Sequence, residues 1–159
     1  MLFLKTLRVD ESDTHVFERA AEPGEWAITG TFAFVADDPE GLTGKRRQAF
    51  RNGFLGTDSF SWSTLVSIAT ILDDEYASLI ERLGDHLIEA YGAPDRSQAL
   101  AAAREEVEFA ASLCSHPVNS VIAIERTIEA GEIVENFRKI ETDGNTTPGA
   151  WVIEPGPSE

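Results

Sequence analysis

The residues whose chemistry stands out most from its surroundings are Lys45, Arg46 and Arg47, with Arg51 one helical turn further on. They are four of the 13 basic residues in a 159-residue chain that carries 28 acidic ones and a net charge of −15. A guanidinium presents a planar fork of donors that fits carboxylate and phosphate, and an ammonium adds a point charge. The chemistry open to this cluster is therefore recognition of an anion: a small carboxylate or phosphate, or an acidic patch on a protein partner. The segment falls in the first half of a predicted helix, where positive charge opposes the helix dipole, and residues set against a local preference can mark function. The opposing reading is a solvated face, or arginines paired with the chain's abundant carboxylates. Beside the cluster, Phe50, Phe54, Phe60 and Trp62 bracket a bend from Gly53 to Gly56. Lys45, Arg46, Arg47, Arg51, Phe54 and Trp62 together are the candidate residues for binding a ligand or a partner. The same aromatics would also serve to pin a loop to the core.

Other chemistries fail on spacing. Gly41-Leu42-Thr43-Gly44-Lys45 has two residues between its glycines where a phosphate-binding loop needs four, and Arg46 stands where Ser or Thr is required. His15, His86 and His116 show no zinc-ligand spacing. Cys114 and His116 sit almost adjacent at a predicted helix end, a poor geometry for a thiol–imidazole pair. Glu105, Glu106 and Glu108 spread around a helix and read as a solvated face rather than a two-carboxylate centre. No serine lies in a G-x-S-x-G elbow. The sequence thus offers no catalytic residue, no metal site and no cofactor motif.

Composition bounds the remaining classes. The strongly negative charge repels phosphate backbones and anionic lipids, so neither nucleic acid nor membrane is an expected partner. A single cysteine forms no internal disulfide. The apolar start, Met1 to Asp10, is too short and too soon charged for a signal peptide, and no apolar run reaches the roughly 18 residues of a membrane span. These features point to the cytoplasm.

The elements that must position the cluster follow from periodicity. Leu2 to Val9 is rich in strand formers. His15–Ala21 and Glu25–Val35 flank Glu22-Pro23-Gly24 and predict a hairpin, with Trp26, Ile28, Phe32 and Phe34 on the core face. A helix follows from about Thr43 to Asn52, capped by Thr43, then a loop, then a strand over Phe60–Ile71. Two long amphipathic helices are predicted over Asp73–Tyr91 and Ser97–Cys114, the second with Asp95 and Gln98 as a capping pair. Val118–Ile128 and Glu132–Ile140 form a last hairpin across Glu129-Ala130-Gly131. The pattern predicts one α+β domain over residues 1–140: a mainly antiparallel sheet of about six strands, two long helices on one face, and a short third helix. Residues 141–159 read as a C-terminal loop and tail, with Trp151-Val152-Ile153 as an apolar island.

Two stretches, His15 to Trp26 and Gly44 to Gly56, are similar to a family of small alphaproteobacterial proteins of about this whole length and of unknown function. The resemblance implies a place beside genes for molybdenum-dependent oxidoreductases, and with it an accessory role. The resemblance carries over no catalytic residue. The sequence therefore favours a non-enzymatic accessory or protein-interaction protein of the bacterial cytoplasm. The alternative is a small enzyme or ligand-binding protein that recognises an anionic small molecule through Lys45–Arg51. A homo-oligomer is a third expectation, with Trp151 reaching a neighbouring copy.

Overall fold

In the computed structural model, which describes residues 1–142 and 151–153, the apolar start forms β1 (Leu2–Leu7). It pairs antiparallel with β5 (Leu65–Thr70), Leu4 opposite Ile68. From β5 the main sheet runs through β6 (Val121–Glu129) and β7 (Glu132–Thr142) to β8 (Trp151–Ile153). Ala130 and Gly131, both at positive φ, turn the β6–β7 hairpin with the backbone twist that matches its strands. A second antiparallel sheet holds β2 (Ala27–Ile28), β3 (Phe54–Gly56) and β4 (Trp62–Ser63). The fold is α+β in one domain, with the expected strands divided between two sheets rather than gathered in one.

The helices follow their apolar periodicity. α3 (Asp73–Tyr91) buries Leu79, Leu83 and Leu87; α4 (Arg96–Ser112) buries Ala99, Ala103, Val107 and Ala110. Glu75 caps α3 by accepting the Leu72 N–H at 2.9 Å, and Asp95 caps α4 by accepting the Gln98 N–H at 2.8 Å. The small residues let the two helices approach until a Cβ at Gly84 would stand 2.9 Å from Leu100. α4 lies against β1 and β2, and Tyr76 of α3 meets Phe3 edge to face at 5.9 Å.

Residues 10–35 differ from the predicted hairpin. Ser12–Val16 form a short helix, α1, and the strand expected over Glu25–Val35 is confined to β2. The Pro23-Gly24 turn is present, but it brings Glu25 to β1: Thr6 N–H donates to Glu25 O at 2.7 Å, and Gly24 N–H to Thr6 O at 3.0 Å. Gly30 then ends the extended run. It sits at φ +82° with the Trp62 ring 3.0 Å and Leu55 Cβ 2.6 Å from where a Cβ would be. Only glycine fits both the conformation and the close approach. Beyond it Thr31–Phe34 coil into a 3-10 turn.

The strand predicted over Phe60–Ile71 also breaks, at Thr64. The nearly buried Asp13 carboxylate takes the Thr64 N–H at 3.2 Å and its hydroxyl at 2.6 Å, which pulls that residue out of the ladder and sends β4 and β5 to different sheets. The bend expected from Gly53 to Gly56 holds β3 (Phe54–Gly56), paired on both sides. Trp151–Ile153 add to the edge of β7 as β8, whereas the loop expected over 143–150 and the tail from 154 lie outside the described residues.

α2 (Gly44–Asn52) carries the basic cluster. Thr43 occupies its N-cap position, but its side chain makes no capping hydrogen bond. β6 pairs with β5 only through Val121–Ala123, and α2 covers the edge this leaves. Asn52 donates there to the Ile124 carbonyl at 3.1 Å.

Candidate binding site

α2 stands with its basic first turn beside the Glu18–Arg19 bend and the β3–β4 connection. Between them lies a concavity of about 190 Å³, walled by Glu18, Arg19, Lys45, Arg46, Ala49, Phe60 and Trp62. Ligand pockets for whole small molecules run from about 300 to 1,000 Å³, so this one has room for a single charged group. Three of the six candidate residues, Lys45, Arg46 and Trp62, meet here. Arg47 and Arg51 are exposed on the same helix without lining it. Phe54 is fully buried and stacks towards Phe137 at 6.4 Å, so it belongs to the core.

The cations are held differently. Arg46 lies over the Phe34 ring at 4.5 Å and donates from Nη2 to Asp37 Oδ2 at 2.8 Å and to Ala33 O at 3.0 Å. Both members of that ion pair are more than a third exposed, so solvent screens it and the pair contributes little to stability. Its value is positional: it fixes the guanidinium against the aromatic wall. Arg19 donates to the neutral Ser59 carbonyl at 3.3 Å. Among the described residues neither Arg19 nor Lys45 has a carboxylate within 4.0 Å, so both keep charge available for an incoming anion.

The wall at Phe60 is strained. Phe60 sits at φ +52°, a conformation that costs a bulky residue roughly 1–3 kcal/mol. Its ring stacks on His86 of α3 at 3.7 Å and 3°. His86 then meets Tyr91 at 5.6 Å, and Tyr91 meets Phe32 at 5.3 Å, both edge to face. Burial lowers the His86 pKa against a smaller opposing pull from Glu89, so the stacked ring is neutral at pH 7. Burial raises the Tyr91 pKa, with a smaller lowering by the charge of Arg46 and raising by that of Asp37. An aromatic row thus leads away from the basic concavity, along α3.

Two other concavities differ in character. One of about 310 Å³ is lined by Trp26, Asp58, Asp74, Glu75 and Arg82, with Arg82 paired to Asp58 at 2.6 Å. The other, about 180 Å³, lies over Asp13, whose carboxylate is already occupied by Thr64. Among the described residues no group of three His, Cys, Asp or Glu side chains is placed to hold a metal ion, and no helix is long and apolar enough to cross a membrane. Cys114 offers no nucleophile: burial pushes its thiol up to about 11.

The charged residue that sequence reasoning missed is Arg126, 1% exposed. Its Nε donates to Thr31 Oγ1 at 2.7 Å, Nη1 to Phe50 O at 2.7 Å and Ala49 O at 3.3 Å, and Nη2 to Thr29 O. Thr31 in turn donates to Glu135. Burial brings the guanidinium down to about 10, opposed by Glu135 and Glu106, and it remains a cation at neutral pH. Glu106 is therefore not the solvated residue expected. It is half-buried, with its carboxyl pushed up by burial, by Glu135 and by Glu105. The signal for Arg126 was present in its strand: it alternates with Ile122, Ile124 and Ile128 on the core-facing side. The guanidinium ties the C-terminal carbonyls of α2 to β6, and so sets the helix that presents Lys45 and Arg46.

No curated protein and no solved structure matches the chain. A family model does: residues 1–149 match a family of unknown function, DUF6505, and the chain belongs to that family.

Proposed function

We propose that this protein is a non-enzymatic accessory or interaction protein of the bacterial cytoplasm, in the alphaproteobacterial setting that its resemblance implies. It receives an acidic group of a protein partner in the concavity formed by Lys45, Arg19 and Arg46. One observation carries the reading: in a chain of net charge −15, three cations against one carboxylate, Glu18, converge on an aromatic-walled recess of about 190 Å³. That recess is the size of a carboxylate-bearing side chain, not of a whole metabolite. The strained Phe60 backbone in its wall supports the same reading, since such strain concentrates at binding sites.

The alternative occupant of the same recess is a small anion such as phosphate. Titration of the full chain, followed by NMR, separates the two. A short poly-glutamate peptide should shift the resonances of residues around Lys45 and Trp62, and Arg19→Glu/Lys45→Glu should weaken it by at least about tenfold, a change of roughly 1.4 kcal/mol. Undiminished peptide binding by the folded double variant would refute the site. Saturation by inorganic phosphate, with no response to peptide, would assign the recess to a small ligand instead.

A further inference from the structure

The recess is not uniformly basic. Lys45, Arg46 and Arg19 face it together with the carboxylate of Glu18. Glu18 is exposed, and among the described residues no basic side chain lies within 4.0 Å of it, so its charge is not spent on a neighbour. Asp37, by contrast, lies on Arg46 at 2.8 Å. The three cations, set against Glu18 and Asp37, leave the recess a single net positive charge. Arg47 and Arg51 are exposed on the same helix without lining it, and salt weakens their reach. The donors agree with this balance. Arg46 Nη2 is held by Asp37 and the Ala33 carbonyl, Arg19 meets only the Ser59 carbonyl at 3.3 Å, and Lys45 has no carboxylate beside it. Two cations are thus free, one for each oxygen of a carboxylate.

We infer that Glu18 sets the specificity of this recess: it admits a singly charged carboxylate and turns away a doubly charged phosphate group. The partner therefore presents a Glu or Asp side chain here, not a phosphorylated residue. This rests on the preceding reading of the recess and adds which anion it takes and which residue chooses. Attraction to the recess grows in proportion to the guest's charge, whereas the cost of drawing the guest out of water grows with the square of that charge. One net positive charge therefore suits one negative charge. A phosphate monoester brings three terminal oxygens and nearly two charges at neutral pH. For its third oxygen Glu18 offers acceptors and no donor, and its second charge enters a chain already at −15.

The probes are two Gly/Ser peptides blocked at both ends, one carrying a single Glu and the other a single phosphoserine in its place. They are titrated by NMR at about pH 7.5, where phosphoserine carries nearly two charges, against the full chain, Glu18→Gln and Arg19→Glu/Lys45→Glu. The full chain should bind the Glu peptide about tenfold more tightly than the phosphoserine peptide. Glu18→Gln keeps the shape of an exposed side chain, so the fold is unaffected. It should strengthen the Glu peptide about threefold and the phosphoserine peptide about tenfold, because the repulsion it removes scales with the charge of the guest. Arg19→Glu/Lys45→Glu should weaken both. Phosphoserine binding as tight as Glu binding in the full chain, and lost in that double variant, would overturn the proposal and leave the basic recess standing. Equal gains for the two peptides in Glu18→Gln, or none, would remove Glu18 as the selecting residue. No binding of either peptide, or binding that ignores Arg19→Glu/Lys45→Glu, would overturn both readings.

Discussion

Arg126 and Arg46 carry the same guanidinium in opposite circumstances. Arg126 is sealed between β6, α2 and the 29–31 turn, with its donors spent on three main-chain carbonyls and one hydroxyl. Arg46 lies half-exposed over a ring, with one carboxylate beside it and unpaired cations as neighbours. The difference teaches that cations in an acidic protein divide by what satisfies them. Where fixed carbonyls do, the residue is architecture. Where solvent and a screened ion pair do, it stays open to an exchange of partners. Arg126 also holds Arg46 in place, because both act through α2.

The sharpest way to break this contrast is Arg126→Leu. It removes the donor from the carbonyls of Thr29 and Phe50, while Ala49 O keeps the Gly53 N–H at 2.9 Å, and unsatisfied buried groups cost roughly 1–3 kcal/mol each. Urea unfolding should show a loss of about 3–5 kcal/mol, the size expected for breaking a buried charged network. A loss under 1 kcal/mol would mean that water reaches these carbonyls and that the residue is not structural.

A middle-sized effect concerns the acidic side of the same network. The Glu106 carboxyl is raised in the folded chain above its ordinary 4.5, by burial first and then by Glu135 and Glu105. Folding therefore binds this proton more tightly than the unfolded chain does. The stability that this proton adds is complete below the unfolded value and is lost as pH rises through the folded one. Glu106→Gln should flatten that part of the pH profile and stabilise the protein at neutral pH. Identical slopes for variant and wild type between pH 4.5 and 7 would remove Glu106 from the network.

The smallest effect is the diagnostic one. Lys45→Glu should change unfolding free energy by less than about 0.5 kcal/mol, as surface substitutions do, while acting strongly on anion binding. A large destabilisation would make Lys45 structural and erase the contrast from the other side.

How much of this was legible depended on how local the determinants are. α2, α3, α4 and the β6–β7 hairpin followed from periodicity, caps and turn residues, all within a few positions of one another. Residues 10–35 did not, because Gly30 is answered by Trp62 and Leu55, and Glu25 by the backbone amides of Glu22, Asp58 and Ser59. A strand-like composition says nothing of contacts so distant in sequence. The site divided in the same way. Lys45 and Arg46 stood out by charge alone. Phe60 and Trp62 stood out beside them as aromatics, whereas Arg19 and the row along α3 entered only through folding, and Phe54 was drawn into the core by Phe137.

The Arg126 hydrogen bonds span 76 to 97 residues of chain, and this sets an order of assembly. On the ribosome, at about 5–20 residues per second, α2 and its recess are made several seconds before the residue that fastens them emerges. During that interval the Phe50 carbonyl at the end of α2 lacks its Arg126 donor, and Phe34 and Phe50 lack the strand that will cover them. The nascent first half is therefore the stretch of this protein most in need of shielding, and its binding surface matures last, although it is synthesised early.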